Sequence, residues 1–129
     1  YAAATMASEN KVLAHPASVD SIPSSANQED FVSMGTTSAR KAGAILENTR
    51  SVLAYELLTA CQAVDIRRRT GRCGAGLSPV DEAVHRHVRE KVAFYETDRE
   101  IWPDIRAVEA MVRSGELLEL ARRLVPEFC

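Results

Sequence analysis

Residues able to do chemistry are concentrated in one short run, Ser24-Ser25-Ala26-Asn27-Gln28-Glu29-Asp30. Hydroxyls, amides and carboxylates in consecutive positions bring hydrogen-bond donors, acceptors and negative charge together. Such a run has a plain structural use. Ser, Asn and Asp cap helices, and Glu29 and Asp30 suit the positive end of a helix that follows them. A helix N-terminus is also where a polar site is cheaply built, so capping and a site are compatible. On residue types alone, capping is the simpler account.

The other candidates are weaker. His85 and His87 lie at i and i+2 on an expected helix and point to different faces, so they cannot ligate one metal ion. They are expected to be one exposed and one packed histidine, with His87 on the packed side. Arg67, Arg68, Arg69 and Arg72 could hold phosphate, but they close a helix whose C-terminus attracts cations, and they are expected to form a solvated helix end. Gly74-Ala75-Gly76 lacks the strand, the further glycines and the lysine of a phosphate loop. Trp102, before Pro103, is expected to anchor packing at a helix start. No metal site is expected: Cys61, Cys73 and Cys129 show no CxxC spacing, and their odd number fits a reducing compartment better than a disulfide framework.

The elements that must position the polar run are helical. No proline interrupts residues 30–69. Ala42, Leu46, Thr49, Leu53, Leu57, Ala60 and Val64 recur by threes and fours as one helical face. Ile45, Val52, Tyr55, Leu58, Cys61 and Ile66 lie off that stripe, so more than one face calls for burial. A helix over 30–69 would be about 60 Å long, more than the downstream residues can cover. Ser78-Pro79 reads as the N-cap and first residue of a new helix, with Val80, Ala83, Val84, His87, Val88, Lys91 and Val92 inward. A third helix starts at Trp102-Pro103-Asp104, turns Val108, Met111 and Val112 inward and stops at Ser114-Gly115, and a last one spans 116–125. The fold class is all-α: 1–29 a helix end and loop, 30–69 a long core helix, 78–125 shorter helices. The opening YAAATMASENKVLAH has no initiator Met and reads as mid-helix, so the 129 residues are expected to belong to something longer.

Bulk properties narrow the function classes. With 46% hydrophobic, 26% charged and 5% aromatic residues and a net charge of −2, the chain has an ordinary globular composition. No basic block stands apart, so nucleic acid is not an indicated partner. No apolar run approaches a membrane span and no signal-peptide pattern is present, which makes a cytoplasmic location the default expectation.

SENKVLAHPASVDSIPSSANQEDFVSMG closely resembles a segment of the histidine ammonia-lyase family and its relatives, the tyrosine and phenylalanine lyases and 2,3-aminomutases. ENTRSVLAYELLTACQAVDIRR, LSPVDEAVHRHVREKV, DREIWPDI and VRSGELLE resemble the family's C-terminal part in the family's order, so the likeness covers essentially the whole chain. It implies the C-terminal portion of a bundle of long helices, in a homotetramer whose pockets are shared between subunits.

The resemblance also implies a chemistry: loss of ammonia from an aromatic L-amino acid, or transfer of its amino group to the β-carbon. The implied cofactor is methylidene-imidazolone (MIO), formed from an internal Ala-Ser-Gly. That tripeptide does not occur in this sequence, so the remaining N-terminal part of the subunit is an implied partner and the chain alone is expected to be inactive. Glu29 is the implied catalytic residue, a carboxylate able to hold an ammonium ion or relay a proton. Asn27, Gln28 and Phe31 are the implied substrate-binding residues. Glu29 points to the histidine or bacterial tyrosine branch, since the plant-type phenylalanine enzymes typically carry Gln there. Phe31 stands where histidine lyases carry His, which favours tyrosine as substrate, with histidine, giving urocanate, as the alternative. The competing expectation from another class is a non-catalytic helical interaction module.

Overall fold

The computed structural model describes residues 1–72 and 76–127; the expectations for Cys73, Gly74, Ala75 and Cys129 lie outside them. Five α-helices follow in order: α1 (Ala2–Leu13), α2 (Gly35–Arg69), α3 (Pro79–Lys91), α4 (Trp102–Ser114) and α5 (Glu116–Leu124), with a 3-10 turn at Ala17–Asp20. Among the described residues the extended backbone forms no strand, only one isolated antiparallel bridge between Ser24 and Glu29. The all-α expectation holds. Two compact units divide the chain, Tyr1–Val52 and the residues from Leu53 on.

In the first unit, the Asn48 side chain on α2 donates to Glu9 Oε2 (2.9 Å) and Asn10 Oδ1 (3.0 Å) on α1. Lys41 donates to the carbonyl of His15 just beyond α1, and Ala17 is buried beside it. These bonds fasten both ends of the segment that carries the polar run.

α2 begins at Gly35, later than the expected Asp30. The cause is local backbone: Met34 sits at φ 55°, a left-handed conformation that a right-handed helix cannot include. The side chain of Ser21 also engages the backbone of Val32. The polar run is therefore not the cap of α2.

The second unit is built on a core of Ala54, Leu58 and Cys61 from α2, Val88 and Val92 from α3 and its end, and Ile105, Val108 and Met111 from α4. Ser78 caps α3 as expected, accepting from the Asp81 N–H at 3.1 Å, and Pro79 follows at the first position, where a missing N–H costs nothing. Gly115, at φ 80°, ends α4 in the left-handed conformation that suits glycine and opens α5.

Several expectations about burial are corrected here. The buried side of α2 comprises Ala54, Leu58, Cys61 and Gln62, whereas Leu46 and Leu53 of the expected stripe are half exposed. The core partners of α2 lie on α3 and α4, and they select the face holding Leu58 and Cys61. The packed histidine is His85, not His87, and Lys91 is exposed. Trp102 is 57% exposed and anchors nothing in the core. Arg68 and Arg69 are not merely solvated: they pair with Glu82 and Glu96, and the Arg69 guanidinium lies 3.8 Å from the Phe94 ring centroid.

Candidate functional site

The polar run forms the tip of a narrow hairpin-like loop. Ser24 N–H donates to the Glu29 carbonyl (2.8 Å) and Glu29 N–H to the Ser24 carbonyl (3.3 Å), closing the tip. At the base, Ser21 Oγ accepts from the Val32 N–H (2.7 Å) and donates to the Val32 carbonyl (3.0 Å). Both closures share one antiparallel register, the residue numbers of each pair adding to the same total. Pro23, with φ fixed near −65° and no N–H, sits between them. A serine hydroxyl supplies the second closure where the backbone ladder does not continue.

Three consecutive residues at the tip, Ser25 (φ 52°), Ala26 (φ 53°) and Asn27 (φ 66°), are left-handed. The turn is completed by Gln28 N–H donating to the Ser25 carbonyl at 3.1 Å. Left-handed conformation costs an L residue roughly 1–2 kcal/mol, least for Asn. Strain of this kind persists only where surrounding contacts over-determine it, and it clusters at functional sites. The two closures are those contacts.

Of the expected site residues, Asn27 and Gln28 lie at the exposed tip, Glu29 on the closing pair, and Phe31 between the two closures, 63% exposed. The Glu29 carboxylate turns back across the loop, where Oε2 accepts from Ser24 Oγ at 2.9 Å. Oε1 accepts no hydrogen bond among the described residues. An exposed carboxylate with one oxygen held and the other presented is suited to take up a cation or a proton. Ser21 escaped the sequence reasoning, and Ser24, though it heads the polar run, was given no partner there, because their partners lie across a turn whose register sequence does not display.

A second polar cluster, also missed, lies in the other unit. Asp65 on α2 receives His85 Nε2 at Oδ1 (2.9 Å) and Arg89 Nε at Oδ2 (2.7 Å). Arg89 also donates to Gln62 Oε1 (3.1 Å) and to the Val92 carbonyl (3.2 Å), and Gln62 Nε2 donates to the Tyr95 carbonyl (2.6 Å). The spacing was available: Gln62 and Asp65 are one turn apart on α2, His85 and Arg89 one turn apart on α3. Cys61 lies in the neighbouring core, and burial pushes its thiol up from the ordinary value, with the Arg89 charge pulling it back and Asp65 reinforcing the rise. A thiol held protonated is a poor nucleophile. No group of His, Cys, Asp or Glu among the described residues is arranged to hold a metal ion, and no described helix is long and apolar enough to cross a membrane.

With this geometry described, the chain can be set beside known proteins. Residues 1–90 match the model of the family described as aromatic amino acid lyase. The chain is 48% identical over 125 residues to the histidine ammonia-lyase of Streptococcus gordonii, covering 97% of this chain and 24% of that protein. It is 54% identical over 122 residues to the histidine ammonia-lyase of Caldanaerobacter subterraneus, covering 95% and 23%. Among solved structures it superimposes on histidine ammonia-lyase from Trypanosoma cruzi with a TM-score of 0.86 and 44% identity, over 98% of this chain and 24% of that one. Tyrosine aminomutase from Streptomyces globisporus gives a TM-score of 0.84 and 40% identity, over 95% and 22%. The chain thus spans about a quarter of the length of the curated relatives it matches.

Proposed function

The chain belongs to the aromatic amino acid lyase family, and from that premise we propose that the full-length protein carrying it eliminates ammonia from L-histidine to give urocanate. What supports histidine is the level of identity to enzymes named histidine ammonia-lyase, 48% and 54% over nearly the whole chain. This displaces the tyrosine preference drawn from Phe31.

The observation that carries the chemistry is the fixed Glu29 carboxylate on a strained loop. In this role Glu29 holds the substrate ammonium and carries a proton as ammonia leaves. In the same role Asn27 and Gln28 would offer the substrate amide donors and acceptors, and Phe31 would pack on its ring. The methylidene-imidazolone would come from an Ala-Ser-Gly outside this chain, since the tripeptide does not occur here. When bound it supplies the electrophile that takes up the amine, and the presented Glu29 oxygen fits a neighbour carrying that amine. A homotetramer and a cytoplasmic location belong to the same proposal.

The substrate test is a product assay of the full-length protein with L-histidine and L-tyrosine, with urocanate expected to dominate. Dominant 4-coumarate or β-tyrosine would refute histidine turnover and favour the second reading, a tyrosine lyase or aminomutase, for which Phe31 is the specific observation. The test of Glu29 is Glu29→Gln. It should keep the melting temperature while kcat falls at least about a hundredfold, as expected for loss of a positioned proton-transfer group. A variant within about threefold of wild type would reduce Glu29 to a loop-closing role.

A further inference from the structure

We propose that Ser24 is a positioning residue for Glu29, its hydroxyl holding one carboxylate oxygen so that the other faces the substrate amine; the inference rests on the lyase chemistry proposed above. A glutamate side chain has three torsions, and Glu29 is exposed. With nothing to hold it, such a carboxylate samples many rotamers, and each alternative rotamer removes the charge from the reacting geometry. Two features of the loop restrict it. The reciprocal backbone bonds between Ser24 and Glu29 fix the two main chains opposite each other, at 2.8 and 3.3 Å. From that opposed position the Ser24 hydroxyl donates to Glu29 Oε2 at 2.9 Å.

A hydroxyl has one proton to give, so only one carboxylate oxygen can be held this way. Donation to Oε2 leaves Oε1 as the acceptor available to a cation. Ser24 thereby acts at two levels: its main chain closes the turn that makes Ser25, Ala26 and Asn27 left-handed, and its side chain orients the carboxylate that the turn presents. Ser21, on Val32, secures the base and does not touch Glu29. The two roles of Ser24 are separable by mutation, since Ser24→Ala removes the hydroxyl and leaves the backbone closure in place.

The experiment compares Ser24→Ala, Ser24→Thr and Glu29→Gln in the full-length protein, reading kcat, KM and melting temperature. Ser24→Ala is expected to lower kcat about tenfold to a hundredfold, the scale of a misplaced catalytic group, with KM within about threefold. Its melting temperature should match wild type, because the lost bond is on an exposed loop. Ser24→Thr keeps a hydroxyl and should recover most of the loss. Wild-type kcat in Ser24→Ala, or a loss that Thr does not recover, overturns the positioning role. So does a kcat loss that tracks a fall in melting temperature. Ammonia release by wild type, impaired by Glu29→Gln but not by Ser24→Ala, overturns this inference and leaves the lyase proposal standing. Absence of ammonia release from every aromatic amino acid tested overturns both.

Discussion

Asp65→Asn is expected to be among the most damaging single changes in the second unit, although it alters no volume. Asp65 accepts two charge-assisted bonds, from His85 at 2.9 Å and Arg89 at 2.7 Å. Each is worth about 1.5–3 kcal/mol. The two donors use different oxygens of Asp65, and an amide offers only one acceptor oxygen and turns its NH2 toward the other donor, so one bond is lost and the other keeps roughly half its strength. The bonds alone therefore account for a loss of about 2–4.5 kcal/mol. The Asp65 and Arg89 side chains are only 17% and 13% exposed, so solvent screens the stranded guanidinium poorly. Leaving a partly buried charge without its partner adds to the cost. We expect a total of about 3–5 kcal/mol, read from urea-induced unfolding of the full-length protein. Arg89→Met should cost a similar amount, because it leaves Asp65 Oδ2 and Gln62 Oε1 without their donor. The double variant should cost at least about 1 kcal/mol less than the sum of the two single losses, since removing both charges leaves neither stranded. Additive effects, or an Asp65→Asn loss under about 0.5 kcal/mol, would show that the cluster is not a coupled network.

Two pH-linked outcomes follow from the same unit. Burial raises the Cys61 thiol above its ordinary 9.0, so the stability it contributes is present below that value and lost as pH rises through the raised one. Native Cys61 should therefore resist iodoacetamide near neutral pH and react only after unfolding, which peptide mapping of the alkylated protein would check; rapid native labelling would contradict its burial. Glu82 and Glu116 titrate below their ordinary 4.5, held down first by hydrogen bonds from Arg68 and Lys91 respectively. Their contribution is present above 4.5 and is lost as pH falls through the lowered values. Glu82→Gln should flatten the acid limb of a melting-temperature profile, and an unchanged limb would assign that limb to other groups.

What sequence could show followed the range of the interactions involved. The start of α3 was legible because Ser78, Pro79 and Asp81 complete the cap within one turn, and the break at Gly115 because a left-handed C-cap is a local preference. The start of α2 was not. It depends on Met34 being left-handed and on Ser21 reaching Val32 across the loop. The two apolar faces of α2 were both visible in the spacing, yet within the second unit the choice of Leu58 and Cys61 over Leu53 is made by side chains from α3 and α4. His85 was mistaken for the exposed histidine because its partner Asp65 lies on another helix. At the candidate site, residue types marked the right run and the resemblance singled out Glu29. The hydroxyls that shape the loop needed coordinates, because serine pairs with almost anything polar and its sequence neighbours do not reveal which.

The tip of that loop has a consequence for handedness. Ser25, Ala26 and Asn27 lie in the half of conformational space that D-amino acids prefer, so over three residues the chain traces a turn of the enantiomeric protein. D-alanine at position 26 would adopt this geometry without steric cost, and semisynthesis could place it there. Among encoded residues only glycine is free of the penalty, but glycine brings a larger conformational entropy to lose on ordering. Retaining L residues trades strain in the folded loop for a narrower set of shapes outside it. The opposed chirality at the tip is thus one means by which an exposed loop, with no core of its own, keeps a carboxylate in a single place.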